Sequence, residues 1–456
     1  MLLLIQCPAL LNWPAENDVG RTRHMPLFSQ RLHFAANEGG TTVYDVPPPQ
    51  GFFVAEGRFI LILYWRIDVL MLFCKESLFT PGPTPVPDRV KQAMNQPMVA
   101  HRSEVFSNSL KQVATKLMPV FGAKEPVVVI AGSGTSALES AVCNVVHEGD
   151  HVVVVVTGVF GERFASICES YGSHVHRLNI EWGTVCRPEQ LETFLKGLKD
   201  PVKAVFATYC ETSTSVLNPV KDLGAVVKRL TDALYIVDGV SCIGGVPVDM
   251  EDYQIDILVS GSQKALMLPP GLAFVAVNKR AKEAIKNGPE KRFYLDLNRY
   301  IDSYDEAVTT PFTPPVSLVF GAEEVCRMIE EEGWDNVIKR HEILRDMTRA
   351  GVKALGLPLL VENDADASPT VTAVKPDGDQ AGAIKKYLQD HFSMVVASGQ
   401  KQLKGKIFRI GHMGYSTPFD VINVLTALEM AVHELNGRDT FGIAVKKAEE
   451  AWKAHV

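Results

Sequence analysis

Two apolar runs in the middle of this 456-residue chain each end at a charged side chain. The run Ala233-Leu234-Tyr235-Ile236-Val237 stops at Asp238. The run Ile255-Asp256-Ile257-Leu258-Val259 passes through Ser260-Gly261-Ser262-Gln263 to Lys264, twenty-six residues beyond the aspartate. Strands that end this way carry the charge at the rim of a sheet, where α/β proteins assemble their sites. A lysine amine condenses with an aldehyde, and a carboxylate keeps a pyridine nitrogen protonated. The pair therefore suits pyridoxal 5'-phosphate, whose ring can then accept electrons. A buried ion pair with an incidental lysine fits these two residues alone equally well.

A further candidate lies upstream. An apolar strand over 126–130 runs into Ala131-Gly132-Ser133-Gly134-Thr135-Ser136, and a helix is expected over 137–146. Strand, glycine turn and helix aim free backbone N–H groups at an anion, with the helix dipole adding to the attraction. No Gly-Lys-Ser/Thr follows, so this is not a nucleotide P-loop, and a dinucleotide fingerprint lacks its third glycine. A tight turn needs glycine in any case. After the valine-rich strand at 151–156, Phe160 could stack on a flat ring or serve as an ordinary core aromatic. Another strand, at 204–208, ends in the hydroxyl-rich Tyr209-Cys210-Glu211-Thr212-Ser213-Thr214-Ser215.

The elements that must position these residues alternate as short apolar strands and amphipathic helices from 126 to 277. That pattern predicts an α/β fold with a mostly parallel sheet covered by helices on both faces. From 316 onward, long helices and a few short strands predict a smaller C-terminal α+β domain. The expected division is an extension over 1–70, a large domain over 71–316 and a small domain over 317–456. Residues 1–74 contain no lysine, carry Pro47-Pro48-Pro49 and show no sustained period. They read as a poorly ordered extension outside the enzyme fold, with Met71 as the natural start, or else as a targeting or tethering arm.

Net charge of −7 offers nothing to nucleic acid, and no RNA-binding signature appears. The apolar run over 59–73 is interrupted by Arg66 and Asp68 and is shorter than a membrane span. Eight scattered cysteines form no C-x-x-C pair, which points to a reducing, cytoplasmic compartment without disulfides or zinc. Organellar targeting by residues 1–70 stays open.

Taken together, the segments resemble the class V aminotransferases, pyridoxal-phosphate enzymes of fold type I, in their alanine–glyoxylate/serine–pyruvate branch. The likeness covers about residues 77–435. It rests on Phe79-Thr80-Pro81-Gly82-Pro83, Gly132-Ser-Gly-Thr-Ser-Ala-Leu-Glu139, Glu211-Thr-Ser-Thr214 and Val237-Asp-Gly-Val240. Ser260-Gly-Ser-Gln-Lys-Ala265, Pro269-Pro-Gly271, Phe293-Tyr-Leu-Asp296 and Phe408-Arg-Ile-Gly411 extend it.

The resemblance implies that Lys264 holds the cofactor and then shuttles a proton, while Asp238 pairs with the ring nitrogen. Val240 and Phe160 would pack on the ring, the latter where some relatives have tryptophan. Ser133, Gly134, Thr135 and Gln263 would bind the phosphate, and Ser213 would lie near the ring hydroxyl. Gly82 would line the substrate site, and Arg409 would clamp the substrate carboxylate with its planar fork. It implies a homodimer with shared sites, in which Thr313 reaches the neighbour's phosphate; the accompanying tyrosine position falls on Thr310. The expected substrates are alanine or serine as donor and glyoxylate or pyruvate as acceptor, in a ping-pong reaction.

Aminoethylphosphonate and phosphoserine transaminases are alternatives, with His101 and Arg102 either serving the extra anion or being ordinary structure. Cysteine desulfurase would need a nucleophilic cysteine in the C-terminal part, and none follows Cys326. A silent partner subunit with the same fold would have no reason to keep both Lys264 and Asp238.

Overall fold

Valine-rich runs alternate their side chains between two faces, and both faces are buried. In the strand His151–Val156, Val153 and Val155 join one apolar cluster while Val152, Val154 and Val156 join the other. Leu234–Asp238 does the same, with Tyr235 and Val237 on one side and Leu234 and Ile236 on the other. A strand apolar on both faces stays in register only between two helical layers. The computed structural model of the protein describes residues 76–456, together with four short strands before them. Those four form two antiparallel pairs, Leu32–Ala35 with Thr41–Tyr44 and Phe53–Ala55 with Arg58–Ile60. The remainder of the expected extension lies outside the described residues.

The large sheet has seven strands in the order Val128–Gly132, Gly271–Val277, Ile257–Gly261, Leu234–Asp238, Val202–Thr208, His151–Val156, His174–Asn179. All run in one direction except Gly271–Val277, which is antiparallel to both neighbours. The sequence expectation of a mostly parallel sheet between helices matches this arrangement. Because the parallel strands end on one rim, the charged termini of separate runs meet there.

The small sheet has four strands, Val371–Val374, Phe408–Gly411, Met394–Ser398 and Ser77–Phe79. Its own apolar cluster is shared with the helices Trp334–Ala354, Gln380–Phe392, Pro418–Asn436 and Ile443–Lys453. Ser77–Phe79, from the proline-stiffened leading segment, pairs in parallel with Met394–Ser398. The leading segment is thus tied to the small sheet before it reaches the large one.

Two differences from the sequence reading have clear causes. The apolar spacing of Leu110, Val113, Leu117 and Val120 reads as one helix over 106–121, but the chain forms two, Glu104–Lys116 and Met118–Phe121, because Pro119 brings no N–H to continue the ladder. The helix expected from 137 begins at Gly134, so Gly134 and Thr135 occupy its first turn rather than the preceding loop.

Candidate functional site

Asp238 is the last residue of its strand and is almost fully enclosed. Its Oδ1 accepts the Val240 amide at 2.9 Å. Burial pushes its carboxyl up to about 7, with the Glu211 charge adding to the rise, while the Val240 N–H and the Lys264 charge pull it back. Lys264 lies three residues past Ile257–Gly261, in the turn before Gly271–Val277. Burial holds its amine down to about 8, and the Asp238 charge opposes that fall. The charge of each group therefore acts on the other.

The leading segment closes over the lysine. Lys264 Nζ donates to the Pro81 carbonyl, and the Lys264 carbonyl accepts from Thr84 Oγ1 at 3.0 Å. Gly82, at φ +102°, has no room for a Cβ, which would run into the lysine's side chain. Only glycine takes this backbone conformation freely and also leaves that space.

The helix Gly134–Cys143 opens with amides that no side chain caps. Its hydrogen bonding starts only at Ser136, whose amide reaches back to Ser133 at 2.9 Å. A Cβ on Gly261 would come within 3.2 Å of the Gly134 backbone, and one on Gly134 would meet the Val240 methyls at 2.9 Å. The Gln263 side-chain oxygen is buried beside them with no partner. Ser133, Gly134, Thr135, Val240 and Gln263 thus converge on a cradle of free amides. This is the chemistry that a phosphate ester on a flat ring requires, so these residues fit pyridoxal phosphate.

Phe160 sits in the first turn of the helix Val159–Ser170. The Arg163 guanidinium lies over its ring, 4.7 Å from the centroid, and donates to Thr135 Oγ1 at 3.3 Å. The charge of Arg163 lowers the proton affinity of both Asp238 and Lys264. Sequence reasoning missed this residue, because an arginine one turn into an amphipathic helix reads as solvated surface.

Ser213 is fully buried; its hydroxyl donates to Glu211 Oε1 at 2.5 Å and accepts the Val159 amide at 3.0 Å. Thr212 Oγ1 contacts Ser241 Oγ, whose backbone carbonyl accepts from Thr370 Oγ1 at 2.7 Å. Arg409, in the small-sheet strand Phe408–Gly411, donates from Nη1 to the Thr212 carbonyl at 2.9 Å. Its Nε and Nη2 reach the Ser398 carbonyl at 3.2 and 2.8 Å. Burial lowers its pKa to about 10, and among the described residues it has no carboxylate ion-pair partner.

Four sequence candidates stand outside this group. Thr310 and Thr313 line a small cleft with Tyr294, Tyr300 and Phe312, where Thr310 Oγ1 donates to the Phe312 carbonyl at 2.8 Å. His101 and Arg102 sit in a turn before Glu104–Lys116, His101 half-buried and Arg102 exposed.

Comparison with known proteins identifies the family. Residues 77–421 match the family model for aminotransferase class V. An uncharacterized aminotransferase of Methanocaldococcus jannaschii is 44% identical over 79% of this chain and 94% of its own length. The small subunit of a soluble hydrogenase from Synechococcus sp. is 40% identical with the same coverage. A serine–glyoxylate aminotransferase of Methylorubrum extorquens is 34% identical over 82% of this chain and 95% of its own. The crystal structure of ureidoglycine–glyoxylate aminotransferase from Bacillus subtilis superposes with a TM-score of 0.78 at 32% identity, covering 83% of this chain and 98% of that one. With the fold, the lysine–aspartate pair and the amide cradle in place, the chain belongs to the class V aminotransferases, pyridoxal-phosphate-dependent enzymes of fold type I.

Proposed function

We propose that this transaminase moves the amino group of a small amino acid, alanine or serine, to glyoxylate or pyruvate by a ping-pong reaction. The observation that carries the reading is Arg409. It is a buried guanidinium whose described acceptors are backbone carbonyls, so its charge is left to be met by one substrate carboxylate. Three of its five N–H groups are engaged, which leaves a two-pronged face for a single carboxylate. Glu211 lies close enough to raise the proton affinity of both Arg409 and Asp238, and its negative charge opposes a second anionic group on the substrate. That favours alanine and serine over aspartate or phosphoserine. A desulfurase is disfavoured as well, since the last cysteine, Cys326, is buried in a helix with its thiol pushed up to about 12 by burial.

When bound, pyridoxal phosphate supplies the electron sink that stabilises the charge left at the substrate Cα. Lys264 would hold the cofactor through its amine and, when that amine is free, would serve as the base that carries the proton leaving the substrate Cα. Its lowered pKa keeps a useful fraction neutral near pH 7–8. Asp238 would face the ring nitrogen as a carboxylate, kept in that orientation by the Val240 amide. Ser133, Gly134, Thr135 and Gln263 would grip the phosphate, Phe160 and Val240 would hold the two ring faces, and Ser213 would lie near the ring hydroxyl. Gly82 would leave the lysine room to swing and line the substrate side.

The reading extends to a homodimer in which Thr313 serves the neighbouring site, and to a cytoplasmic location, in keeping with the six cysteines among the described residues, all buried and unpaired. The experiment is a panel of amino donors against glyoxylate and pyruvate, with absorbance spectra of each half-reaction. Alanine or serine should convert the enzyme-bound absorbance and either oxo acid should restore it. Turnover confined to phosphorylated or dicarboxylic donors would refute the substrate assignment.

A further inference from the structure

Glu211 is fully enclosed, and the reading above uses only its charge and leaves its hydrogen bonds without a role. Its oxygens accept only from N–H and O–H donors. Oε1 takes the Ser213 amide at 3.1 Å and the Ser213 hydroxyl at 2.5 Å, and Oε2 takes the amides of Phe160 at 3.0 Å and Gly161 at 3.1 Å. Those last two amides open the helix Val159–Ser170, whose N-cap is Gly158 and offers no side chain. A Cβ at Gly158 would collide with Glu211 and Ser213, so the glycine makes room for a carboxylate supplied from another strand. Burial pushes the Glu211 pKa up, and the hydrogen bonds from Ser213, Gly161 and Phe160 oppose that rise; with both oxygens facing donors, the pattern is that of an ionised carboxylate. Glutamine in this place would turn its NH2 against backbone N–H groups whichever way its amide were set.

The geometry points to Glu211 as a positioning residue, an ionised carboxylate that seats the Phe160 ring and the Ser213 hydroxyl together against the cofactor. This rests on the reading above that Phe160 and Ser213 touch the ring. A single anion thereby fixes the helix carrying one contact and the loop carrying the other, two segments about fifty residues apart in the chain. The same charge raises the proton affinity of Asp238, so its loss should show in the titration of the site as well as in its order.

The test compares holoenzymes of the parent, Glu211→Gln and Ser213→Ala. For Glu211→Gln, the visible circular dichroism of the bound cofactor should fall at least about threefold, and kcat should drop roughly 10–100-fold. KM for the oxo acid should change by no more than about threefold, and the acid limb of the rate profile should move to lower pH. A structural role alone would not move that limb. Circular dichroism and kcat within about twofold of the parent, with the acid limb unmoved, would overturn the proposal. If Glu211→Gln does not accumulate folded, Ser213→Ala removes one of the four donors and should weaken the dichroism in the same direction; an unchanged signal there also overturns it. A parent enzyme without borohydride-sensitive absorbance would instead refute the cofactor-site reading itself.

Discussion

The Arg163 guanidinium lies over the Phe160 ring at 4.7 Å and donates to Thr135 Oγ1, so one side chain joins the proposed ring platform to the amide cradle. A cation stacked on an aromatic face is attracted by the ring's quadrupole and holds that ring in place. Its charge also lies near the helix start where an anion would bind. Arg163→Ala should weaken cofactor binding roughly tenfold or more, about the effect of losing one charged hydrogen bond. Titration of the apoenzyme with pyridoxal phosphate, followed by absorbance, measures this. Arg163→Lys should recover only part of the loss, because an ammonium keeps the charge without the planar stack.

Arg409 makes a sharper prediction, since its guanidinium is shaped by what already holds it. Nε and Nη2 on the Ser398 carbonyl and Nη1 on the Thr212 carbonyl fix the plane of the fork. Arg409→Ala should raise KM for both amino and oxo acids and cut kcat/KM by roughly 10–100-fold, in line with about 1.5–3 kcal/mol for a charged hydrogen bond. Arg409→Lys should behave almost as badly, since a lysine cannot engage both carbonyls and still present two parallel donors. Steady-state kinetics with alanine, serine, glyoxylate and pyruvate decides it.

Much of this site could be read in advance because its signals are local. Asp238 and Lys264 end apolar runs, Gly132-Ser133-Gly134 is a recognisable turn, and the valine strand His151–Val156 is bounded as expected. What could not be read depends on distant partners. Glu211 was visible as part of a motif, but its hydrogen bonds to Phe160 and Gly161 join segments that only the folded sheet brings together. The strand Ser77–Phe79 is three residues long and lies next to a proline-rich stretch, too short for any period to show. Its partner, Met394–Ser398, comes from the far end of the chain. The polar helices Lys279–Lys286 and Leu297–Ala307 offer only two buried residues each, too few to mark a stripe.

Acid sensitivity should come from two enclosed imidazoles. Burial holds His341 and His412 down to about 3, so both are neutral in the folded protein. His341 Nδ1 lies 2.7 Å from the Val337 carbonyl, and Nε2 accepts the Gly414 amide at 3.0 Å, so a second proton has no place to bind without breaking that bond. The unfolded chain takes up these protons below about 6.5, whereas the folded one does so only near 3. Stability is therefore full above pH 6.5 and declines as pH falls through that window. Urea midpoints measured from pH 7 to 4 should drop. His341→Met should be less stable at pH 7 yet show a shallower decline.

The lysine and aspartate should separate when replaced one at a time. Lys264→Ala removes the attachment point and the proton carrier and should abolish turnover, with borohydride no longer fixing cofactor to the protein. Asp238→Ala keeps the cradle and the lysine, so cofactor should still bind while kcat falls by roughly 100-fold or more. Asp238→Asn should resemble Asp238→Ala in rate, because the carboxylate's charge is what favours a protonated ring nitrogen. Absorbance spectra with and without borohydride distinguish loss of binding from loss of chemistry.

Gly82 couples the leading segment to this chemistry through space alone. At φ +102° an L-residue is strained by about 1–2 kcal/mol, which a protein with so extensive a core can absorb without unfolding. The catalytic cost is different in kind, because the added methyl would occupy the volume of the Lys264 side chain and oppose the movement that lets the amine leave and return. Thr84 Oγ1 keeps the lysine's backbone fixed from the same segment, so the side chain has no easy retreat. Gly82→Ala should therefore melt within a few degrees of the parent while kcat falls by roughly 100-fold or more, the scale of a misplaced reacting group. Thermal denaturation and kinetics on one preparation provide the check; a variant that is fully active would show that the lysine does not need this space.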